Sequence, residues 1–574
     1  MSVIQVQGFA GENRALHPTL LPDKVGTVSR NQFPGRGDLR PWNQPLTVAS
    51  VPASRSTIYR MGRDVASDAS YWLSWATVVH AVRGFDPNDT TERTYYTGDG
   101  APKVTNNVFG LATAPYPTTS RPMGIPAPGS APIITTVGTG TATTNVTAYY
   151  VYTYFNDWGW ESAPSPPSSA NIRKTDQTAT IGSFAAVPSG NYNVTGIRIY
   201  RTATGASGAT EFFFLREIAL ATTSTMDDNR TLGEVLPSAT WLPAPGVPQG
   251  GAANATESNL TNLVSMWNGM MAGICGNRVR LCEAYTAYAW PDAYDITPPD
   301  GKPVALAVFG QQLLILTTSR PLLAAGSGPD SMDQMPVDIP QGCVSARSVV
   351  SMGSGVVWAS EDGLCWVGAG GARVLTAGIM TRSDWQALVP SSIIGQMYEG
   401  LYFGSYSTDG GTTRQGFMLE PGNPGGIFFL DAGYPALHFD ELIDQLYVLS
   451  GTSVQKWNAS ASKMTYRFRS KQFTLARPMN FAALEVSADA YPVTVRVDAL
   501  GLPAATVTAL VAQRPSLFSA PTTTSFRYTV AVPSAEPVPL PSGFTSLDWQ
   551  LELEGTGAVQ SVAMATSMEE LKGV

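Results

Sequence analysis

Short runs of β-branched and aromatic residues alternate along this chain with clusters of Gly, Pro, Asn and Asp. Alternation with a period of two places every second side chain on one face of a strand. In Val146 to Phe155, for example, Tyr150, Tyr152 and Tyr154 share a face. The turn Asn156-Asp157-Trp158-Gly159-Trp160-Glu161-Ser162 stops that strand, and Ala163-Pro164-Ser165-Pro166-Pro167-Ser168 keeps the chain extended along an edge. Gly196 to Arg201 and Glu211 to Ile218 predict a hairpin around Thr204 to Gly208. This stretch reads as an immunoglobulin-like or fibronectin type III-like sandwich, flanked by Pro-rich linkers at 112–132 and 237–251.

The same patterning divides the rest of the chain. Residues 1–50 predict an extended arm. Its Phe33, Leu39 and Trp42 must pack on another surface, since alone they would be exposed. Residues 51–120 predict one four-stranded sheet from Ser56–Met61, Tyr71–Trp75, Thr77–Val82 and Arg93–Thr97. Residues 121–250 hold the sandwich and its linkers. Residues 251–460 repeat apolar strands around Gly turns at about 40-residue intervals, the period of propeller blades. Residues 461–574 predict a closing sandwich, with Ser567 to Leu571 as one helical turn. The expected fold class is all-β: a β-propeller-like body with an inserted immunoglobulin/fibronectin III-like sandwich and a C-terminal β-sandwich.

Composition narrows the functions open to such a fold. The 574 residues are only 14% charged and 10% aromatic, with 55 Gly and 43 Pro. The 43% hydrophobic content excludes disorder, and the Gly spacing is not collagen-like. Thirty-six Lys and Arg against 44 Asp and Glu give −8, the wrong sign for binding nucleic acid through phosphates. No basic n-region precedes an apolar stretch, so no secretory signal is expected, and no apolar run is long enough for a membrane-spanning helix. Asn145-Val146-Thr147 and Asn193-Val194-Thr195 are read as chance sequons, and Arg36-Gly37-Asp38 as a chance match to a receptor-read tripeptide.

Chemistry-bearing residues are few. His17, His80 and His438 lie far apart, which argues against a histidine metal site, and His80 reads as a strand histidine. Cys275, Cys282, Cys343 and Cys365 form no CxxC pair and read as small buried hydrophobes, with a Cys275–Cys282 bridge across a hairpin as the alternative. The acidic pairs Asp227-Asp228, Glu361-Asp362 and Glu569-Glu570 are placed in turns or at the tail, solvated or capping backbone amides. Trp290-Pro291-Asp292 and Asp384-Trp385 could line a sugar-cleaving groove, but packing accounts for the tryptophans better. Ser407-Thr408-Asp409-Gly410-Gly411-Thr412-Thr413 resembles the Asp-box hairpin of sialidase-like propellers, in which Asp409 would cap the turn, a folding device rather than a catalytic one. No catalytic, cofactor-binding or metal-ligating residue is assigned, no cofactor is expected, and the chain is read as a non-enzyme.

Three stretches, Tyr149 to Ser168, Asn268 to Pro291 and Gly543 to Leu571, together resemble the tail nozzle, or tail tubular protein B, family of short-tailed bacteriophages. The arm Asn31 to Trp42 and the block Arg93 to Pro102 fit the same resemblance. It implies a structural virion protein, assembled in the host cytoplasm into a ring, usually a hexamer, at the distal end of the tail. The implied partners are other copies of itself, the tail adaptor above it, tail fibres or spikes, and DNA that passes through the lumen without sequence-specific binding. An acidic or polar lumen is then expected, because DNA should slide past it. The alternative is a receptor-binding or glycan-binding tail spike or fibre component. A cellular propeller scaffold lacks support, since no regular blade signature such as a Trp-Asp repeat is present.

Overall fold

A computed structural model describes residues 3–62, 67–204, 210–220, 225–229, 244–248, 258–422 and 424–571. Strands make up 45% of the chain and helices 6%, so the fold is all-β as expected. The chain forms two compact units. One comprises Met1–Arg60, Val65–Ser70 and Asp338–Val574, the other Met61–Asp64 and Tyr71–Val337.

In the first unit the chain makes successive antiparallel meanders. Val350–Ser351, Gly355–Ala359, Leu364–Gly368 and Gly371–Val374 form one four-stranded sheet in chain order. Ile394–Tyr398, Leu401–Tyr406, Gln415–Leu419 and Phe428–Leu430 form the next. Leu437–Asp440, Gln445–Ser450 and Ser453–Lys456 form the third, which is completed by Leu46–Ser50 from the other end of the chain. These strands carry continuous apolar runs because both faces are covered. Val356 to Ala359 and Leu446 to Leu449 are fully buried.

The N-terminal fifty residues therefore do not form a separate arm. Ile4–Gln7 pairs along Val559–Ala565, with Ile4 opposite Met564. Val28–Arg30 lies between Phe428–Leu430 and Tyr466–Arg469 and joins the second meander to the closing sandwich in one eleven-stranded sheet. Leu39 and Trp42 are fully buried, and Phe33 packs against Trp42 at 4.4 Å between ring centroids. The closing sandwich has a mixed aliphatic and aromatic core that includes Val6, Phe468, Leu484, Val495, Trp549 and Leu553. The last element among the described residues is the short helix Met568–Leu571, where Glu570 accepts from the backbone and hydroxyl of Thr566.

The second unit differs from the sequence expectation in its first sheet. His80–Arg83, Thr94–Thr97, Lys103–Thr105 and Arg121–Pro122 are the four paired strands, while Thr57–Arg60 and Trp72–Trp75 lie outside that sheet. The sheet is shifted along the chain because Lys103–Thr105 follows a tight turn at Gly98 to Gly100, and two strand residues hide inside the Pro/Thr-rich stretch read as linker. Gly98 has φ +103°, and a Cβ there would meet the Val78 carbonyl oxygen.

The inserted sandwich holds Ile133–Val137, Thr178–Gly182 and Thr225–Asp228 in one sheet and Tyr150–Asn156, Val194–Thr204 and Thr210–Ala219 in another, with the pair Asn145–Ala148 and Asn171–Lys174 between them in sequence. The expected hairpin pairs Thr204 with Thr210, and its turn lies outside the described residues. Within the second linker, 244–248 is packed rather than free: Val247 is buried and Trp290 donates its backbone N–H to the Pro245 carbonyl. The rest of that linker is outside the described residues. Thr261–Ser265, Met271–Cys275 and Arg278–Leu281 follow, then the four-stranded meander Pro303–Phe309, Gln312–Thr317, Leu322–Ala325 and Asp333–Pro336.

Trp42 tests whether the N-terminal segment is integral to the first unit. Its ring meets Tyr398 and Trp457 at 5.9 and 5.8 Å. Trp42→Ala should cost about 3–5 kcal/mol, read as a lower urea midpoint at unchanged far-UV circular dichroism. An unchanged midpoint would mean that the segment is dispensable.

Candidate functional site

The densest polar constellation lies inside the inserted sandwich. Met226 is buried on Thr225–Asp228, and alternation puts Asp228 on the same inward face. Asp228 is fully buried, not in a turn as the sequence reading placed it; only Asp227 is exposed, where it accepts a 2.6 Å hydrogen bond from Thr180. Asp228 Oδ2 accepts from Arg201 Nη1 at 2.7 Å, from the Tyr150 hydroxyl at 2.8 Å and from Arg173 Nη2 at 3.4 Å. Both guanidinium groups are as buried as the carboxylate. Burial, followed by the adjacent carboxylate, pushes the Tyr150 phenol far above its ordinary range.

A second network surrounds Glu161, which is 3% exposed. It accepts from Thr153 Oγ1 at 2.5 Å, the Tyr200 hydroxyl at 2.6 Å and Arg198 Nη1 at 2.7 Å. Between the networks, the Pro-rich stretch seals one edge of the tyrosine strand. Ser162, Ser165 and Ser168 donate their backbone N–H groups to the carbonyls of Tyr154, Tyr152 and Tyr150 at 2.8 to 2.9 Å. Their hydroxyls accept from the N–H groups of the same three tyrosines. Each serine thus satisfies both backbone groups of one tyrosine, and the intervening prolines need no partner for a missing N–H. This is the extended edge the sequence predicts; the serine spacing that builds it was not read as a signal.

These networks hold groups rather than react. A carboxylate fixed by two guanidinium groups and a phenol in a sealed core has neither substrate access nor a free proton acceptor. The other singled-out residues are dispersed. The Asp-box-like turn forms as expected: Asp409 accepts from the Thr413 N–H at 3.0 Å and from its hydroxyl at 2.5 Å, and from Ser407 Oγ at 2.8 Å. The two Thr413 bonds, then Ser407, hold Asp409 well below the usual carboxylate range. Trp290 and Trp385 are core residues whose indole N–H groups bond the carbonyls of Ala287 and Ser360. Glu361-Asp362 does sit in a turn.

All four cysteines are free, so the alternative Cys275–Cys282 bridge is not formed. Cys275 opposes Arg278 at the hairpin turn, whereas Cys282 bonds back to Met271 at the other end of the same strand pair. Burial pushes the thiols of Cys282, Cys343 and Cys365 up to about 12, which leaves them unreactive. Among the described residues no group of three or more His, Cys, Asp and Glu could hold a metal ion. None of their helices is long and apolar enough to cross a membrane. A cleft in the closing sandwich, lined by Phe481, Phe526, Tyr528, Leu540, Phe544 and Trp549, has a cavity volume of about 10 Å³. That is room for about one water molecule.

No protein-family model and no curated protein matches the chain. Among solved structures it is similar to the extracellular domain of a one-component system of B. thetaiotaomicron, with a TM-score of 0.22, 8% identity, and coverage of 91% of this chain and 58% of that one. It is similar to PorZ, a surface component of the type-IX secretion system of Porphyromonas gingivalis, with a TM-score of 0.25, 10% identity, and coverage of 87% and 77%. A hybrid two-component system's extracellular domain from B. thetaiotaomicron gives a TM-score of 0.24 and 7% identity, with coverage of 91% and 60%. The chain thus spans about three-fifths of the length of both B. thetaiotaomicron domains. Likenesses of this size carry no argument about function.

Asp228→Asn would leave two buried guanidinium groups facing a neutral amide. It should destabilise the protein by about 3–5 kcal/mol in urea unfolding at neutral pH. A loss below about 1 kcal/mol would show that Asp228 does not anchor the sandwich.

Proposed function

We propose that this chain is a structural subunit of the distal tail nozzle of a short-tailed bacteriophage. In this reading copies of it form a ring, a hexamer, that continues the tail channel, retains packaged DNA and lets it pass during ejection. The observation that carries the proposal is the resemblance of Tyr149 to Ser168, Asn268 to Pro291 and Gly543 to Leu571 to that family. Supporting it is the architecture these stretches occupy. Tyr149 to Ser168 is the tyrosine strand with its serine-sealed edge, and Asn268 to Pro291 spans the hairpin Met271–Cys275 and Arg278–Leu281. Gly543 to Leu571 carries two long strands of the closing sandwich.

The chemistry fits a conduit. Low charge suits extensive permanent contacts between subunits, and unreactive buried thiols suit assembly in a reducing cytoplasm. A net charge of −8 per chain favours DNA sliding past rather than being held. The adaptor above and fibres or spikes beside the ring are its proposed neighbours in the virion.

Mass photometry of the purified protein, together with a virion map, tests this reading. A ring of about six copies, or its density at the tail tip, is the expected result. A trimer that binds or degrades glycans would instead identify a spike or fibre component. A predominantly Lys/Arg lumen would overturn the sliding argument.

A further inference from the structure

The first unit contains a clasp whose chemistry depends on a neutral histidine. Arg60 is the last residue of this unit before the chain crosses into the other, and Val65–Ser70 is the stretch that returns. Thr57–Arg60 packs beside Leu437–Asp440, the outermost strand of the third meander. Arg60 Nη1 binds Asp440 Oδ2 at 2.8 Å, with both side chains buried. Its Nη2 donates to the Ser67 carbonyl at 3.2 Å, and Lys456 pairs with Asp68 at 3.0 Å. The outgoing and returning segments are therefore both pinned to this meander.

His438 sits at the centre of this arrangement. Its Nε2 accepts the Arg60 backbone N–H at 3.3 Å, and the Tyr59 ring lies over the imidazole at 5.1 Å between centroids. A ring nitrogen that accepts a hydrogen bond carries no proton, so this geometry requires the neutral imidazole. Among the described residues the charged groups acting on it are Asp440 on its own strand and Arg60 on the packed strand. Tyr447 lies opposite in register on Gln445–Ser450, with Asp68 and Lys456 next to it, and Ile394–Tyr398 brings no charged side chain. Protonation would replace the acceptor with a donor aimed at the Arg60 N–H and place a cation beside the Arg60 guanidinium. Asp440 opposes that effect, but its carboxylate is already engaged by Arg60.

We propose that His438 is an acid-sensitive latch, which in its neutral form holds Thr57–Arg60, and with it the point where the chain leaves this unit, against the third meander. Desolvation, the largest influence, lowers the imidazole from 6.5 to about 4. An unfolded histidine would take up its proton first on acidification. The latch therefore contributes fully above about pH 6.5, and its contribution is lost as pH falls toward about 4.

The chain has three histidines, so His-selective labelling gives a readable spectrum, with the His438 resonance assigned by its disappearance in His438→Gln. The expected result is an imidazole midpoint below pH 5 in the wild type. Amide-exchange protection at Arg60, corrected for intrinsic rate, should fall by about tenfold or more over the same range. Protection in Val493–Leu500, in the closing sandwich, should hold. In His438→Gln the Arg60 protection should lose this pH dependence, at whatever level it stands. A midpoint near 6.5, a wild-type Arg60 protection that does not follow the imidazole, or an unchanged profile in the variant would overturn the proposal. If the variant does not fold, His17→Gln and His80→Gln assign the His438 resonance by elimination, and the wild-type measurement then decides the matter.

Discussion

Three residues, Val28 to Arg30, join two halves of the first unit. A sheet edge presents unpaired N–H and C=O groups, and a buried edge must be closed by another strand. The second meander ends at Phe428–Leu430, and the closing sandwich begins at Tyr466–Arg469. Neither strand pairs with the other. Val28–Arg30 pairs with both, antiparallel to Tyr466–Arg469 and parallel to Phe428–Leu430. Leu46–Ser50 adds an outer strand to the third meander, and Ile4–Gln7 an outer strand to the smaller sheet of the sandwich, each pairing with one neighbour. Backbone groups more than 400 residues apart must therefore meet before the first unit is complete, as Leu46 does with Lys456. Contacts of such high sequence separation are slow to form, and until they do the second meander and the closing sandwich are not joined.

The inserted sandwich meets the same demand locally. Its tyrosine strand is closed on one side by Val194–Thr204 and on the other by the serine-proline stretch. A third ordinary strand would present a new open edge. Prolines between the serines leave few outward N–H groups, so the pairing ends there. With its backbone closed on both sides, the strand can bury side chains on both faces. Tyr150 and Tyr152 face the core with their phenols bonded to Asp228 and the Ala185 N–H, while Thr153 faces the Glu161 network.

Much of this was legible in the sequence. Alternation located the tyrosine strand, the hairpin Gly196 to Ile218, the repeated meanders and the terminal helical turn, because each is set by local periodicity and turn residues. The Asp409 turn was legible for the same reason. What escaped was non-local or masked by composition. Lys103–Thr105 and Arg121–Pro122 are short and lie in a Pro/Thr-rich stretch whose local signal reads as linker, so partner strands rather than propensity make them strands. The destination of the N-terminal strands depends on edges several hundred residues away. Asp228 was misread because two adjacent acids suggest a solvated turn. The inward phase set by Met226 was the available clue, and the arginines that make such burial tolerable lie on two other strands.

The buried charges bear on where the acidic surplus lies. Among the described residues the buried carboxylates are Glu12, Glu161, Asp228, Asp440, Asp498 and Glu552. Each is ion-paired with arginine: Arg14, Arg198, Arg201, Arg60, Arg469 and Arg496 respectively. Arginine suits this role because its planar fork can donate to several acceptors and its charge persists on burial. Asp498 takes a second arginine, Arg527, and Arg496 also reaches Glu554. Taken with these arginines and with Arg173, the second partner of Asp228, the six buried carboxylates contribute no negative charge to the net −8, so the surplus acid lies among the other residues. Only Arg60, Arg173 and Arg201 of the eight partners are themselves buried; Arg14, Arg198, Arg469, Arg496 and Arg527 stay 20–30% exposed, so most of these pairs keep the arginine stem in the core and its charged head at the solvent boundary.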